Sequence, residues 1–118
     1  MTKNEIDGLL LKYVFKEDID TPPKWYYENF WLETLLCNSW PGLGLVVEEM
    51  LKRGWWPCLD KIANGWCAIF SLETGRVSLH GITEAGAEAL TPFMAVAIAA
   101  LRAVGVEIPE EEALNGSA

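Results

Sequence analysis

One segment near the C-terminal end, residues 91–105, constrains the fold more than any other. Its sequence is TPFMAVAIAALRAVG, and it carries a single charge, that of Arg102. Thr91 and Pro92 are typical of a helix start, and Gly105 is typical of a helix end. A helix that is apolar nearly all round must be covered on most of its sides. We therefore predict that this helix lies in the core of a small globular domain.

The size and composition of the chain predict one domain. Of its 118 residues, 51% are hydrophobic, which is enough for a core without a metal or disulfide bonds. We assign residues 1–107 to a single α/β sandwich domain. Residues 108–118 are predicted to form an acidic, flexible tail, because the glutamates cluster there.

The charge balance narrows the range of partners. Nine Lys and Arg against 17 Asp and Glu give a net charge of -8. This argues against nucleic acid and against an anionic membrane as partners, and it permits a basic protein partner. No apolar run approaches the roughly 20 residues that span a bilayer. We expect no nucleic-acid partner and no membrane partner.

The cysteines and the N-terminus predict a cytoplasmic protein. Cys37, Cys58 and Cys67 are odd in number and form no CxxC pair. Asn4, Glu5 and neighbouring polar residues stand where a signal peptide would be apolar. We therefore expect reduced thiols and no cofactor.

The first predicted helix begins at a capping box, residues 2–5. There Thr2 accepts a backbone N–H bond and Glu5 reaches back towards the cap. Its apolar stripe follows helical spacing and ends near Phe15. The stripe consists of Ile6, Leu9, Leu10, Tyr13 and Val14.

A second helix is predicted from Ser39, its cap, with Pro41 in the first turn and Gly54 as the stop. Its apolar face consists of Leu43, Val46, Val47, Met50 and Leu51. Favourable i, i+4 ion pairs are predicted on its exposed face. These are Glu48–Lys52 and Glu49–Arg53.

Residues 25–36, WYYENFWLETLL, admit two structures. Aromatic residues on both sides of Glu28-Asn29 favour a hairpin of two short strands with its turn at this dipeptide. A single helix over residues 25–36 is the alternative. We take the hairpin as the preferred structure.

Strands are predicted where helical spacing gives way to alternation, at residues 55–62, 66–72 and 76–82. Asn64-Gly65 and Thr74-Gly75 predict the two turns of a meander. The small residues at 82–90 predict a loop before the last helix. The core face of this sheet is predicted to hold Leu59, Trp66, Ala68, Phe70, Leu72, Val77 and Leu79.

The order and spacing of these pieces resemble the phage ABA sandwich domain family over roughly residues 4–107. The likeness rests on a helix with Val46-Val47-Glu48 that runs into Arg53-Gly54-Trp55, on a tryptophan-containing meander, and on Thr91-Pro92 before an alanine-rich helix. It implies an α+β fold: a three-layer α/β/α sandwich with a mainly antiparallel sheet and three helices. It also implies a bacteriophage or prophage accessory protein. It implies no established activity and no catalytic residue.

One candidate ligand site lies on the second face of the predicted sheet. With two-residue turns, Asp60 lies opposite Ile69 and Ile69 opposite His80, so Asp60 and His80 share a cross-strand row. Arg76 is close enough in this arrangement to clamp a phosphate-bearing ligand. A solvated sheet face is the simpler alternative. Zinc at Cys58, Cys67 and His80 is not predicted, because the paired spacing of structural zinc sites is absent.

The other candidate is the aromatic run. Exposed Trp and Tyr anchor interfaces and stack on bases or sugars. The run consists of Trp25, Tyr26, Tyr27, Phe30 and Trp31, with Trp40 close behind. Its predicted binding residues are Trp25, Tyr26, Tyr27 and Trp31, together with Trp40. Alternatively they cover one end of the core. A further expectation is a homodimer, because Ala95, Ala99 and Ala103 form a ridge that allows close packing, either on the sheet or across a two-fold axis.

These observations predict a non-enzymatic phage accessory protein that acts by binding. Its target would be a host protein or a small nucleotide signal of host defence, sequestered in the host cytoplasm. No catalytic residue, metal or cofactor is predicted. The alternatives are a small nucleotide-acting hydrolase that uses Asp60 and His80, and a structural or assembly protein of the phage particle.

Overall fold

A computed structural model of the chain describes residues 1–17, 23–29, 35–72 and 84–109. The helices are α1 (Lys3–Leu9), α2 (Lys24–Asn29), α3 (Trp40–Lys52) and α4 (Pro92–Ala103), and the strands are β1 (Trp55–Ile62), β2 (Gly65–Leu72) and β3 (Glu84–Ala89). The strands form one antiparallel sheet in the order β1-β2-β3. This confirms the α+β class with a three-stranded antiparallel sheet. The three-layer arrangement stays a prediction.

Local capping chemistry sets the ends of the helices as predicted. Thr2 accepts the Glu5 N–H at 3.1 Å. Ser39 and Thr91 each accept a backbone N–H of the first turn, at 3.1 and 3.2 Å. Glycines in the left-handed region then end α3 and α4, Gly54 at φ 86° and Gly105 at φ 94°.

The first helix widens before it ends. Residues Leu10–Val14 continue α1 as a π-helical turn, in which the Phe15 N–H donates to the Leu10 carbonyl at 3.0 Å. Lys16, at φ 60°, then turns the chain. The predicted end near Phe15 is confirmed. The π turn was not predicted, because such turns are rare and have no simple sequence pattern.

The described part of the aromatic run forms a helix and not the predicted hairpin. Glu28 and Asn29 lie within α2, so the predicted hairpin turn is wrong and the helix alternative is correct over residues 25–29. Residues 30–34 lie outside the described residues, and extended backbone at Leu35 ends any helix before residue 36. An i, i+4 pair between Lys24 and Glu28, at 3.5 Å, accompanies the helix. Aromatic residues favour strands only when a sheet surface is available to them.

The β1–β2 turn lies one residue earlier than predicted. Ile62 pairs with Gly65, so the turn residues are Ala63 and Asn64, and Asp60 lies opposite Cys67 rather than Ile69. A type I′ turn at Asn64-Gly65 would need a positive φ at both residues, but the φ of Asn64 is not positive. Gly65 is required for another reason, since a Cβ there would collide with the Ala89 carbonyl. The register shift of two residues leaves the side chains of β1 and β2 on their predicted faces.

The third strand lies in a segment predicted to be a loop. Strand β3 pairs with β2 so that Ile69 lies opposite Gly86 and Phe70 opposite Ala85. The predicted pairing of this edge with residues 76–82 is therefore wrong, and those residues themselves lie outside the described residues. Alanine and glycine are weak strand formers. Here they form a strand because α4 packs on it and buries Ala87 and Ala89.

Helix α4 is the core helix, as predicted. It covers the sheet face that holds Ala68, Phe70, Ala87 and Ala89. Its residues Met94, Ala95, Val96, Ala97, Ile98, Ala99, Ala100 and Leu101 are all buried. Since Ala95 and Ala99 are buried within one chain, their ridge does not pack across a two-fold axis, which removes the argument for a homodimer.

The single charge of α4 joins three parts of the core. Arg102 donates to the carbonyls of Gly86, at 2.8 Å, and Ile108, at 2.9 Å. It therefore ties α4 to β3 and to the segment that follows the helix. Ile108 is buried, although it lies one residue beyond the predicted domain boundary.

The opposite side of the sheet, the open sheet face, carries polar and exposed side chains. Its members in the described strands include Trp56, Cys58, Asp60, Cys67, Glu84 and Glu88. Trp56, Cys58 and Asp60 are exposed, so within the described ranges we see no helix packed over them. None of the described helices is both long and apolar enough to cross a membrane.

Candidate functional site

A buried carboxylate on α1 organises the region around the aromatic run. Asp7 is 1% exposed. Its side chain accepts hydrogen bonds from the Tyr26 hydroxyl at 2.7 Å and from the backbone N–H groups of Leu36 and Cys37 at 2.8 and 2.9 Å. The Asp7 carboxylate thus joins α1, α2 and the 3-10 turn Leu36–Asn38, which precedes α3. Because all three donors are paired, the burial of its charge is compensated.

Asp7 was not identified from the sequence, although a signal was present. Asp7 directly follows Ile6 of the apolar stripe. With Leu10 and Val14 it has the i, i+3, i+7 spacing that places residues on one side of a helix. A carboxylate on the apolar side of a helix requires buried donors. Those donors lie up to 30 positions further along the chain, so spacing alone could not locate them.

Cys37 lies next to the Asp7 carboxylate, and its thiol is unreactive. Its thiol is buried and donates to the Lys3 carbonyl at 3.3 Å. Burial, and then the nearby charge of Asp7, raise the pKa of Cys37 far above its usual range. The thiol therefore stays protonated and supplies no nucleophile.

A second anchor holds the end of α3. The guanidinium of Arg53 donates to the carbonyls of Tyr13, at 3.4 Å, and Val14. These carbonyls belong to the π-helical end of the first helix, where backbone acceptors lack helical partners. Arg53 thereby fixes the last turn of α3 beside Phe15.

Beside α3 lies a groove of about 340 Å³, which we name the aromatic groove. It is lined by Phe15, Glu17, Trp25, Leu45, Glu48, Glu49 and Lys52. The four residues from α3 lie at i, i+3, i+4 and i+7, so they share one helix face. The chain segment after α1 and helix α2 supply the remaining wall.

The aromatic rings of the groove are held in place. Phe15 and Trp25 have ring centroids 5.3 Å apart and tilted by 56°. Trp25 and Tyr26 meet edge to face at 6.2 Å, both favourable geometries for aromatic pairs. Because Tyr26 is bonded to Asp7, the buried carboxylate restrains Trp25 indirectly. Of the predicted site residues, Trp25 lines the groove, and Tyr26 contacts Trp25 and donates to Asp7.

Of the charged side chains that line the groove, Glu49 and Lys52 form ion pairs in the described part of the chain. Glu49 lies 3.7 Å from Lys52 and 3.9 Å from Arg53. The predicted Glu49–Arg53 pair is therefore confirmed, but Lys52 pairs with Glu49 and not, as predicted, with Glu48. Within the described part of the chain, Glu17 and Glu48 have no ion-pair partner. Three carboxylates against one ammonium group make the lining negative.

The remaining aromatic candidates lie elsewhere. Trp40 is 60% exposed at the start of α3, where it meets Phe93 edge to face at 4.9 Å. It does not line the aromatic groove. Tyr27 lies in α2, but its side chain is outside the described residues, and so is the whole of Trp31.

The predicted cluster on the open sheet face was based on a register that the described strands do not have, and the cluster itself stays a prediction. Asp60 lies opposite Cys67 and not Ile69, and Cys67 lies opposite Glu88. Arg76 and His80 lie outside the described residues. The carboxylate of Asp60 accepts from the Cys58 thiol at 3.5 Å, and this bond is the main cause of a raised Cys58 pKa. No three metal-ligating side chains of the described ranges are grouped to hold an ion.

Scans of the chain against protein-family profiles, curated proteins and solved structures find no match. The resemblance to the phage ABA sandwich domain family therefore stays a prediction.

Proposed function

We propose that this chain is a binding protein that recognises a basic segment of another protein through the aromatic groove. One observation carries the proposal: two carboxylates without an ion-pair partner in the described residues, Glu17 and Glu48, line the same groove as Trp25. Such an arrangement offers apolar contact and negative charge together. The net charge of -8 favours a basic partner over the whole surface.

The size of the groove supports recognition of a few side chains. Ligand pockets in proteins range from about 300 to 1,000 Å³, and the groove, at about 340 Å³, lies at the lower end. It is therefore an anchor point within a larger contact. Aromatic anchors supply much of the affinity in protein interfaces, and charged rims supply steering and specificity.

The same charges argue against a nucleotide as the ligand. Phosphate groups are bound by Arg and Lys side chains or by helix N-termini. The groove instead presents three carboxylates, and its one lysine is paired with Glu49. Of the two predicted targets, a host protein is therefore favoured. With the family resemblance, we place this binding in a phage accessory protein that sequesters a host protein in the host cytoplasm.

The test uses three synthetic peptides of equal length and equal apolar content, one basic, one neutral and one acidic. Binding is followed by fluorescence anisotropy of the labelled peptide. We expect the basic peptide to bind, with an affinity that falls as salt rises from about 0.05 M to about 0.3 M, because screening shortens the Debye length from roughly 14 to 6 Å. Trp25→Ala should weaken binding about tenfold or more, as loss of an interface anchor does.

Trp40→Ala is the matched control, because Trp40 is also an aromatic side chain near the chain surface but does not line the groove. It should bind the basic peptide as the parent does. Circular dichroism establishes that Trp25→Ala is folded, and Glu48→Gln probes the groove without removing a packed side chain. Equal binding of the acidic peptide, or binding of nucleotides in place of peptides, contradicts the proposal.

A further inference from the structure

Two neighbouring glutamates of α3 differ in their pairing. Glu49 is neutralised by Lys52 and Arg53, at 3.7 and 3.9 Å. Glu48 lines the same groove and has no cationic partner among the described residues. Glu17, which lines the groove from the segment after α1, also has no cationic partner among the described residues. The groove therefore holds two carboxylates whose charge is available to a ligand.

The other lining side chains indicate what kind of cation fits. Phe15, Trp25 and Leu45 present rings and an aliphatic chain to the groove. A hard metal ion takes a shell of oxygen ligands, commonly six or more for calcium, and this lining does not supply one. An organic cation on an apolar stem matches both parts of the lining, because its stem buries against apolar surface while its charge meets the carboxylates.

Among organic cations, arginine suits the groove best. A guanidinium is planar, so it stacks on an indole ring, and its fork of N–H donors bonds a carboxylate through two parallel hydrogen bonds. A lysine ammonium is a compact and strongly hydrated point charge that gains less from stacking. Arg53, the arginine beside the groove, already donates to the Tyr13 and Val14 carbonyls.

We infer that the aromatic groove takes one arginine side chain of the partner protein, with the guanidinium against Trp25 and its charge met by Glu17 and Glu48. This inference rests on the proposed function and specifies the chemistry of its partner. The partner segment then needs one arginine at a fixed position. Additional basic residues around it contribute through the overall negative charge of the chain.

The test uses three short synthetic peptides that differ at one central residue: arginine, citrulline or lysine. All other residues are uncharged, and citrulline keeps the shape of arginine without its charge. Binding to the full chain is measured by calorimetry and by the indole N–H resonance of Trp25. We expect the arginine peptide to bind about tenfold more tightly than the citrulline peptide, a difference of about 1.4 kcal/mol, with lysine between them.

A double-mutant cycle locates the charge contact. Glu48→Gln should reduce the affinity for the arginine peptide severalfold and leave that for the citrulline peptide unchanged. Glu17→Gln should act in the same direction. Glu84→Gln is the matched control, because Glu84 is an exposed carboxylate of β3 on the open sheet face. It should leave all three affinities unchanged.

The outcomes separate this inference from the proposed function. If the arginine and citrulline peptides bind equally and Trp25→Ala abolishes both, the groove binds peptides but not by a guanidinium, and only the inference fails. Equal binding of arginine and lysine also overturns it, because stacking would then contribute nothing. If none of the three binds, and the basic peptide of the previous test does not bind either, the proposed function fails as well.

Discussion

The aromatic groove and the open sheet face both place a tryptophan near carboxylates, but they are built differently. In the groove, Trp25 packs on Phe15 and Tyr26, and Tyr26 is bonded to the buried Asp7. On the open sheet face, Trp56 is 54% exposed. Holding a side chain in its binding conformation before the ligand arrives lowers the entropy cost of binding. The ring of Trp25 is therefore held in the groove before a ligand arrives.

The two surfaces also differ in what surrounds their charges. Asp60, Glu84 and Glu88 are exposed on a sheet face, where water and salt screen them. Glu17 and Glu48 are exposed as well, but they line a groove together with Phe15, Trp25 and Leu45, so apolar side chains lie beside their charges. We therefore expect similar residue types to differ in binding capacity, and variants in both regions test this difference.

The largest effect is expected from removing the carboxylate that organises the groove. Asp7→Ala leaves the Leu36 and Cys37 N–H groups and the Tyr26 hydroxyl without their acceptor. A buried unpaired polar group costs about 1–3 kcal/mol, so we expect the unfolding free energy to fall by about 3–5 kcal/mol, measured by urea denaturation. Asp60→Ala on the open sheet face should change it by less than about 0.5 kcal/mol. Similar losses in both variants would mean that the groove is not the more strongly organised region.

A somewhat smaller effect is expected where α3 meets the turn that Asp7 holds. Gly42 has no room for a side chain, because a Cβ there would collide with the backbone of Leu36. Gly42→Ala should lower the unfolding free energy by about 1–3 kcal/mol, as overpacking does. Gly44, two residues further along α3, has open space around it. Gly44→Ala should raise stability by up to about 1 kcal/mol through its higher helix propensity, and the opposite order would contradict the close approach of α3 to the turn.

The groove wall should also weaken when its second anchor is removed. Arg53→Ala deletes the donors to the Tyr13 and Val14 carbonyls. Because Arg53 is only partly exposed, we expect a loss of about 1.5–2 kcal/mol of unfolding free energy, at the lower end of the range for hydrogen bonds to charged groups. The control is Lys52→Ala, since the side chain of Lys52 is 68% exposed and its ion pair lies at the surface. A larger effect from Lys52 than from Arg53 would show that the wall is held in another way.

The smallest effect concerns thiol reactivity on the open sheet face. The Cys58 thiol donates to Asp60, which favours its protonated form and raises its pKa. Asp60→Asn should lower that pKa, increase the thiolate fraction at mildly alkaline pH and speed alkylation a few-fold. Cys37, which is buried, should stay unmodified until the chain unfolds. Mass spectrometry of the alkylated peptides measures both rates, and an unchanged rate at Cys58 would exclude its bond to Asp60 in solution.

Helix ends were the most predictable part of the fold. The caps at Thr2, Ser39 and Thr91 and the glycine stops at Gly54 and Gly105 all form as expected. Each depends on a side chain or a backbone angle within a few residues of the helix end. The alternation of β1 and β2 likewise identified the core face correctly, because this pattern depends only on the strand period.

Pairing between distant segments was less predictable. The hairpin register was shifted by two residues, because Gly65 serves the close approach of Ala89 rather than a type I′ turn. Strand β3 was missed, because its alanines and glycine have low strand propensity. That strand is stabilised by α4, whose packing on the sheet is a property of the assembled domain.

The candidate site, like the fold, combines features that local sequence predicts with features that depend on contacts between distant segments. The amino-acid sequence alone indicated the apolar core helix, the helix ends, the acidic character of the chain and the candidate binding residues Trp25 and Tyr26. The folded chain was needed to show that Asp7 is buried against Tyr26 and that Phe15, Trp25 and Glu48 line one groove. Local chemistry acts over a few residues and can be recognised in a pattern. A groove between separate segments exists only after hydrophobic packing has brought those segments together.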